Sequence, residues 1–106
     1  MTKTTPFIDL QQFWANVTVY NDSQEYTVTL TVGSADESVV LQTSDVSLSM
    51  SDSGGNPCTL DLCFPSGPLP WIEGFLCMWN VSGIGIDQLA TVHLSVLQNS
   101  ATASFE

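Results

Sequence analysis

The chain of 106 residues has the length of one domain and is too short for two independent hydrophobic cores. It carries 11 Asp and Glu residues and a single basic side chain, Lys3, which gives a formal net charge of −10. This scarcity of cations excludes nucleic acid as a partner, because contacts to phosphates need several Lys or Arg residues. Acidic membrane surfaces are disfavoured for the same reason.

The N-terminal sequence does not indicate the cellular compartment of the protein. They lack the apolar segment of a signal peptide, and no run of 18 apolar residues follows that would predict a transmembrane segment. Three alternatives for the compartment are compatible with the sequence: the protein is cytoplasmic at synthesis, a leader peptide has been removed, or export follows a non-classical route. Residues 5–14 fit either a short N-terminal helix, with Thr5 as its cap and Pro6 at its first position, or an N-terminal strand.

Alternation of apolar and polar residues dominates the rest of the chain. It is clearest at residues 25–32, where every second residue is Tyr, Val or Leu and threonines separate them. The turn residues Asn21 and Asp22 precede this strand, so it is predicted to form a hairpin with residues 16–20. Further strands are predicted at residues 38–42, 45–50, 58–64, 71–80 and 89–98.

Seven or eight short strands separated by turn residues predict an all-β fold, an antiparallel β-sandwich that occupies residues 1–106 as one domain. The strand number resembles that of immunoglobulin-like or jelly-roll-like sandwiches. Ser and Thr together make up 24 residues and occupy outward strand positions where Lys and Glu are usual. Because lysine on edge strands opposes edge-to-edge pairing, a surface without it permits assembly through strands.

The segment from residue 58 to residue 79 is apolar on both faces of a predicted hairpin. Symmetric pairing around residues 67 and 68 would set Leu60 opposite Phe75 and Cys58 opposite Cys77. A strand that is apolar on both faces is covered either internally, for example by the N-terminal segment, or by another chain. The second alternative predicts an interface that contains Cys63, Ile72, Leu76 and Met78.

The three cysteines cannot all pair within one chain, and free thiols are the favoured interpretation. A disulfide between Cys58 and Cys77 would require the symmetric register. The single histidine, His93, lies on the polar face of its predicted strand without a recognisable nucleophile motif. The protein is therefore expected not to be an enzyme.

Two further features predict ligand binding as an alternative. Trp71 follows a proline-rich loop, and Trp71 and Trp79 are candidates for stacking against a sugar ring. Asp52 and Asn56 offer oxygen ligands for calcium in a Gly-containing turn, a weak pattern without EF-hand spacing.

The leading hypothesis is a non-enzymatic structural or interaction module, such as a coat, filament or accessory subunit. It would assemble with itself or with a protein partner through β edges and apolar strand faces. The alternative is a small lectin-like sandwich that binds carbohydrate or lipid, with or without calcium. No cofactor is expected.

Overall fold

A computed structural model describes residues 1–22, 26–36, 38–64, 69–70 and 75–105. These residues form short β-strands joined by turns, with single 310 turns at Thr43–Asp45 and Ile86–Gln88. No helix in this part of the chain is long and apolar enough to cross a membrane. The strands are β1 (Thr2–Thr4), β2 (Ile8–Asp9), β3 (Phe13–Asn21), β4 (Tyr26–Ser34), β5 (Val40–Leu41), β6 (Val46–Asp52), β7 (Thr59–Phe64), β8 (Leu69–Pro70), β9 (Phe75–Ser82), β10 (Leu89–Val96) and β11 (Asn99–Ser104).

The strands build two main antiparallel sheets, which confirms the predicted all-β sandwich. The larger sheet has the order β1-β3-β4-β9-β7, with β2 also paired to β3. The smaller sheet has the order β11-β10-β6, and β5 pairs with β8 as a separate two-stranded unit. The strands outnumber the seven or eight that were predicted, because the N-terminal segment contributes β1 and β2 and because neither β8 nor β11 was predicted.

The hydrophobic core lies between the two main sheets. The alternation predicted for β4 is confirmed, because Val28, Leu30 and Val32 are fully buried. From the smaller sheet, β10 contributes Val92 and Leu94 to the same cluster. Burial of one face on each sheet is the main stabilising term in such a fold, at about 25 cal/mol for each Å² of apolar surface.

The outer face of the smaller sheet carries only hydroxyl and imidazole side chains among its nine paired positions. The central row sets His93 of β10 between Ser49 of β6 and Thr102 of β11. The His93 ring nitrogen Nδ1 and the Thr102 hydroxyl lie 2.9 Å apart and share a hydrogen bond. The remaining positions of this face are Ser47, Ser51, Thr91, Ser95, Ser100 and Ser104.

The N-terminal segment forms strands and not the short helix that the sequence also allowed. The buried Thr5 satisfies both backbone groups of Val17: its N–H donates to the Val17 carbonyl at 2.9 Å, and its hydroxyl accepts from the Val17 N–H at 3.1 Å. Pro6 then occupies the break between β1 and β2, where no backbone donor is needed. The Lys3 ammonium donates to the carbonyl of Leu89 at 2.7 Å and so links the two sheets.

The predicted register between residues 58–64 and 71–80 is wrong. Leu60 lies opposite Val81, six residues further along the chain than the predicted Phe75. Cys58 therefore does not face Cys77, and all three cysteines are free. The symmetric register assumed that residues 69 and 70 continue the hairpin, whereas they form β8 and pair with β5.

One position of β4 requires glycine because a side chain of the neighbouring strand lies against its backbone. Gly33 lies directly opposite Trp14 of β3, and the indole ring covers the glycine backbone. A Cβ atom at this position would overlap Nε1 and Cε2 of the Trp14 ring. An aromatic residue that covers a cross-strand glycine compensates for the surface that the missing side chain leaves open.

Candidate functional site

Strand β7 is an edge of the larger sheet. It pairs with β9 on one side, and no other strand in the described part of the chain pairs with its second side. The backbone N–H and C=O groups on that side are therefore available to a further strand. Neither Lys nor Pro, the residues that usually protect edges, occurs in β7, and Asp61 is its only charged residue.

The pairing of β7 with β9 contains an irregularity at Cys63. Leu62 lies opposite Trp79 and Phe64 lies opposite the next residue, Met78, so Cys63 is an additional residue in β7. Its thiol donates to the carbonyl oxygen of Met78 at 3.4 Å. A bulge of this type turns the following side chain to the other face of the sheet.

The bulge places apolar side chains on both faces of β7. Leu62 shares the inner face with Trp79, which itself lies opposite the buried Val28 of β4. Phe64 shares the outer face with Met78, which lies opposite Thr29. Leu62 is 45% exposed and Phe64 is 44% exposed, although both are large apolar residues.

We define the edge patch as Leu62, Cys63 and Phe64 of β7 with Leu76 and Met78 of β9. Leu76 and Met78 lie on the outer face, where they oppose threonines of β4, and Leu76 is exposed. Three of the four predicted interface residues therefore come together at this edge, namely Cys63, Leu76 and Met78. The fourth, Ile72, lies outside the described residues.

Sequence reasoning missed Leu62 and Phe64 as members of this patch. The symmetric register assigned Phe64 to the same face as Leu60, whereas the bulge moves it to the outer face. The residue types in β7 do not predict this bulge. Every strand except β1 and β8 lacks both Lys and Pro, so this feature does not distinguish β7 in the sequence, and its edge position follows from the sheet order.

The N-terminal segment does not cover β7 and β9, which was one of the predicted alternatives. β1 and β2 pair with β3, at the edge of the larger sheet opposite β7. The inner faces of β7 and β9 pack instead on the common core, to which the buried Cys77 belongs. The exposed residues of the edge patch have no cover from the N-terminus.

The three thiols differ in environment. Cys63 is exposed at the bulge, Cys58 is half-buried and Cys77 is buried. Burial raises the pKa of the Cys77 thiol to about 12 and also raises the pKa of Cys58. The thiolate is the reactive form of cysteine, and burial disfavours it at Cys58 and Cys77. Because Cys63 is also the most exposed of the three, reagents in solution are expected to modify it first.

The described residues that were predicted for ligand binding lie on different sheets, with Trp79 in β9 and Asp52 in β6. Trp79 is half-buried on the inner face against the core, and Trp71 lies outside the described residues. Asp52 closes its own turn, with its Oδ1 accepting from the N–H groups of Gly54 and Asn56 at 2.9 Å each. These hydrogen bonds lower the pKa of the Asp52 carboxyl group, and the bonds from Asn56 have the largest effect.

The calcium prediction for Asp52 and Asn56 stays a prediction. The Asn56 amide nitrogen donates to both carboxylate oxygens of Asp52, so the two residues already bind each other in this turn. Among the residues that the structure describes, no group of three or more His, Cys, Asp or Glu side chains is arranged to hold a metal ion.

The described residues form an all-β sandwich in which β7 is an apolar strand at the edge of the larger sheet. Comparisons of this chain with protein-family models, with curated proteins and with solved structures gave no match.

Proposed function

We propose that the protein is a non-enzymatic interaction module that assembles with copies of itself through strand β7. The observation that carries this proposal is an apolar edge strand without a protecting Lys or Pro, whose second side pairs with no strand in the described part of the chain. Pairing of two such edges extends the larger sheet across both chains. A coat protein, a filament subunit or an accessory subunit would use an edge in this way.

Apolar burial supplies the driving force for such pairing. A strand added beside β7 is flanked by Leu62 on the inner face and by Phe64 on the outer face. Both side chains are only about half covered in the single chain, so pairing removes further apolar surface from water. On the outer face, Leu76 extends the apolar surface towards the centre of the sheet.

Charge along the strand is compatible with self-pairing. In an antiparallel pairing centred on Leu62, Asp61 of each copy lies opposite Cys63 of the other copy, and the two carboxylates do not face each other. The net charge of −10 still makes two copies repel each other at long range. Assembly is therefore expected to strengthen as salt screens this repulsion, the opposite of what an interface built on ion pairs would show.

Sedimentation velocity tests the proposal with a matched pair of substitutions. Leu62→Lys places an ammonium on the edge patch, whereas Leu97→Lys places the same charge on a leucine that is 51% exposed in the turn between β10 and β11. We expect the wild type and Leu97→Lys to form larger species in about 500 mM salt and smaller ones in about 50 mM salt. Leu62→Lys should remain monomeric under both conditions.

A second variant separates assembly from folding. Phe64→Lys changes the outer face, where the side chain contributes less to the core, and it should also abolish the larger species. A far-ultraviolet circular dichroism spectrum that matches that of the wild type shows that each variant is folded. The proposal is overturned if the wild type stays monomeric at millimolar concentration in high salt, or if Leu97→Lys prevents assembly as strongly as Leu62→Lys does.

A further inference from the structure

A polar cleft lies at the end of the sandwich where the two sheets come close to each other. One wall is the connection between β2 and β3, and the other is the hairpin turn between β10 and β11. Two adjoining cavities of about 420 and 330 Å³ form the cleft, and both include Gln98 and Asn99 in their walls. β2 belongs to the edge of the larger sheet opposite β7, so the cleft is separate from the edge patch.

Most of the residues that line the cleft are of uncharged polar types. Four of its side chains are amides, each of which offers two N–H donors and a carbonyl acceptor. The lining contains one carboxylate and no Lys, Arg or His. The polar lining residues are Asp9, Gln11, Gln12, Gln98, Asn99 and Ser100.

Apolar surface accompanies these polar groups. Leu97, at the first position of the hairpin turn, is half exposed and lines the larger cavity, and the buried Phe13 contributes to the same wall. A binding site that combines a few oriented polar groups with apolar contact area is the usual arrangement for a small organic ligand.

Backbone hydrogen bonds hold both walls in place. The Leu97 N–H donates to the carbonyl of Asp45 at 2.8 Å, and the Leu10 N–H donates to the carbonyl of Phe13 at 2.9 Å. The Asp9 carboxylate accepts from the Gln11 N–H at 2.9 Å, which orients this acid in the cleft. The site is therefore largely formed before any ligand arrives, which lowers the entropic cost of binding.

The described part of the chain contains two non-glycine residues with positive φ, and both line this cleft. Gln11 has φ of 69° and Leu97 has φ of 55°. A side chain in this left-handed region costs about 1 kcal/mol relative to the ordinary conformations. Residues held in such conformations occur frequently at binding sites, where the surrounding structure maintains them.

We infer that this cleft binds a neutral saccharide. Amide and carboxylate side chains pair with the alternating donor and acceptor character of sugar hydroxyl groups, and Leu97 offers contact to the C–H face of a ring. Anionic ligands are disfavoured, because the cleft contains no cation and the protein carries a net charge of −10. The inference does not depend on assembly through β7.

An immobilised set of neutral, sialylated and sulfated glycans tests the ligand class. The wild-type protein should bind a subset of the neutral glycans and none of the anionic ones. Titration of the isotopically labelled protein with the strongest neutral glycan should shift amide resonances of residues 9–13 and 97–100. The inference fails if no neutral glycan binds, if anionic glycans bind equally well, or if the shifted resonances lie elsewhere.

Variants of the amide side chains test the site itself. Gln98→Ala and Asn99→Ala each remove hydrogen-bonding groups shared by both cavities, and each should weaken binding about tenfold, the equivalent of about 1.4 kcal/mol. Gln88→Ala is the matched control, since Gln88 is an exposed amide in a different turn. Binding that is unchanged in both cleft variants, or equally weakened in Gln88→Ala, refutes the assignment. Sedimentation of the same variants should be unchanged, which separates this test from that of the edge patch.

Discussion

Replacement of Gly33 by alanine tests the packing of Trp14 against β4. A methyl group at Gly33 overlaps the indole ring, so the ring must move away from the sheet. The backbone itself is not the obstacle, because Gly33 does not have the positive φ found at Gly55 and Gly83. The cost of the substitution therefore measures the contact between one ring and one backbone position.

The magnitude follows from the surface that Trp14 covers. The side chain is 41% exposed, so somewhat more than half of its surface is buried against the sheet. An aromatic side chain of this size buries about 150–250 Å² when fully covered, so about 100 Å² is exposed again when the ring moves away. At about 25 cal/mol per Å², this loss is about 2.5 kcal/mol. Alanine recovers about 0.5 kcal/mol because it is less flexible than glycine in the unfolded chain, which leaves a net destabilisation of about 2 kcal/mol.

A double-mutant cycle isolates this contact. The free energy of unfolding is measured by urea denaturation, followed by circular dichroism, for the wild type, Gly33→Ala, Trp14→Ala and the double variant. In the Trp14→Ala background, Gly33→Ala should be neutral or slightly stabilising, which gives a coupling energy of about 2 kcal/mol. If Gly33→Ala is equally destabilising in both backgrounds, the steric argument is refuted.

Three further predictions concern the core, the thiols and the response to acid. Leu94→Ala should lower the free energy of unfolding by about 2–5 kcal/mol in urea denaturation because Leu94 is fully buried, whereas Leu97→Ala at the exposed turn should change it by no more than about 0.5 kcal/mol. Maleimide should modify Cys63 first in the native protein, and Cys77, buried and with a pKa of about 12, only after denaturant is added; peptide mass spectrometry detects the order, and early modification of Cys77 would contradict it. The pKa of Asp52 is lower in the folded than in the unfolded protein, so its carboxylate stabilises the fold above the ordinary pKa of about 3.9, and this contribution disappears as the pH falls through the folded-state pKa. The difference in unfolding free energy between the wild type and Asp52→Asn should therefore shrink from neutral pH to acid, and a difference that is constant with pH would contradict the assignment.

Local patterns predicted the parts of the fold in which neighbouring strands follow each other closely. The pairing of β3 with β4 was predicted from strand alternation and from turn residues, and Asn21 indeed lies opposite Tyr26. Alternation also identified the inward residues of β10, such as Val92 and Leu94. In both cases the information lies within about 20 residues, and burial of one face specifies the register.

The pairing of β7 with β9 shows what local patterns cannot supply. The predicted register was displaced by six residues, and β8, which the symmetric hairpin would have included, pairs with β5. An even displacement leaves each side chain on its face, so Leu76 and Met78 were assigned to the correct surface in spite of the error. Within β7, the bulge at Cys63 moves Phe64 to the outer face, and the residue types of this strand do not predict it.

The candidate sites divide in the same way. The edge patch was partly predicted, because its apolar residues occur in one segment of the chain. The cleft was not predicted, because its two walls come from residues 9–13 and 97–100, which only the packing of the two sheets brings together. Neither Gln11 nor Leu97 has a residue type that predicts positive φ, so the sequence contains no signal for that backbone conformation.

The position of β4 between β3 and β9 has a consequence for how fast the chain folds. The contact with β3 closes a short hairpin, whereas Thr31 and its β9 partner Leu76 are about 45 residues apart in sequence. The loop entropy of that second contact must be overcome before the centre of the larger sheet exists. Refolding is therefore expected on the millisecond to second timescale of sandwiches with non-local pairing. Until then the apolar residues of β9 remain without their partners, so a newly made chain is most prone to aggregate through this strand.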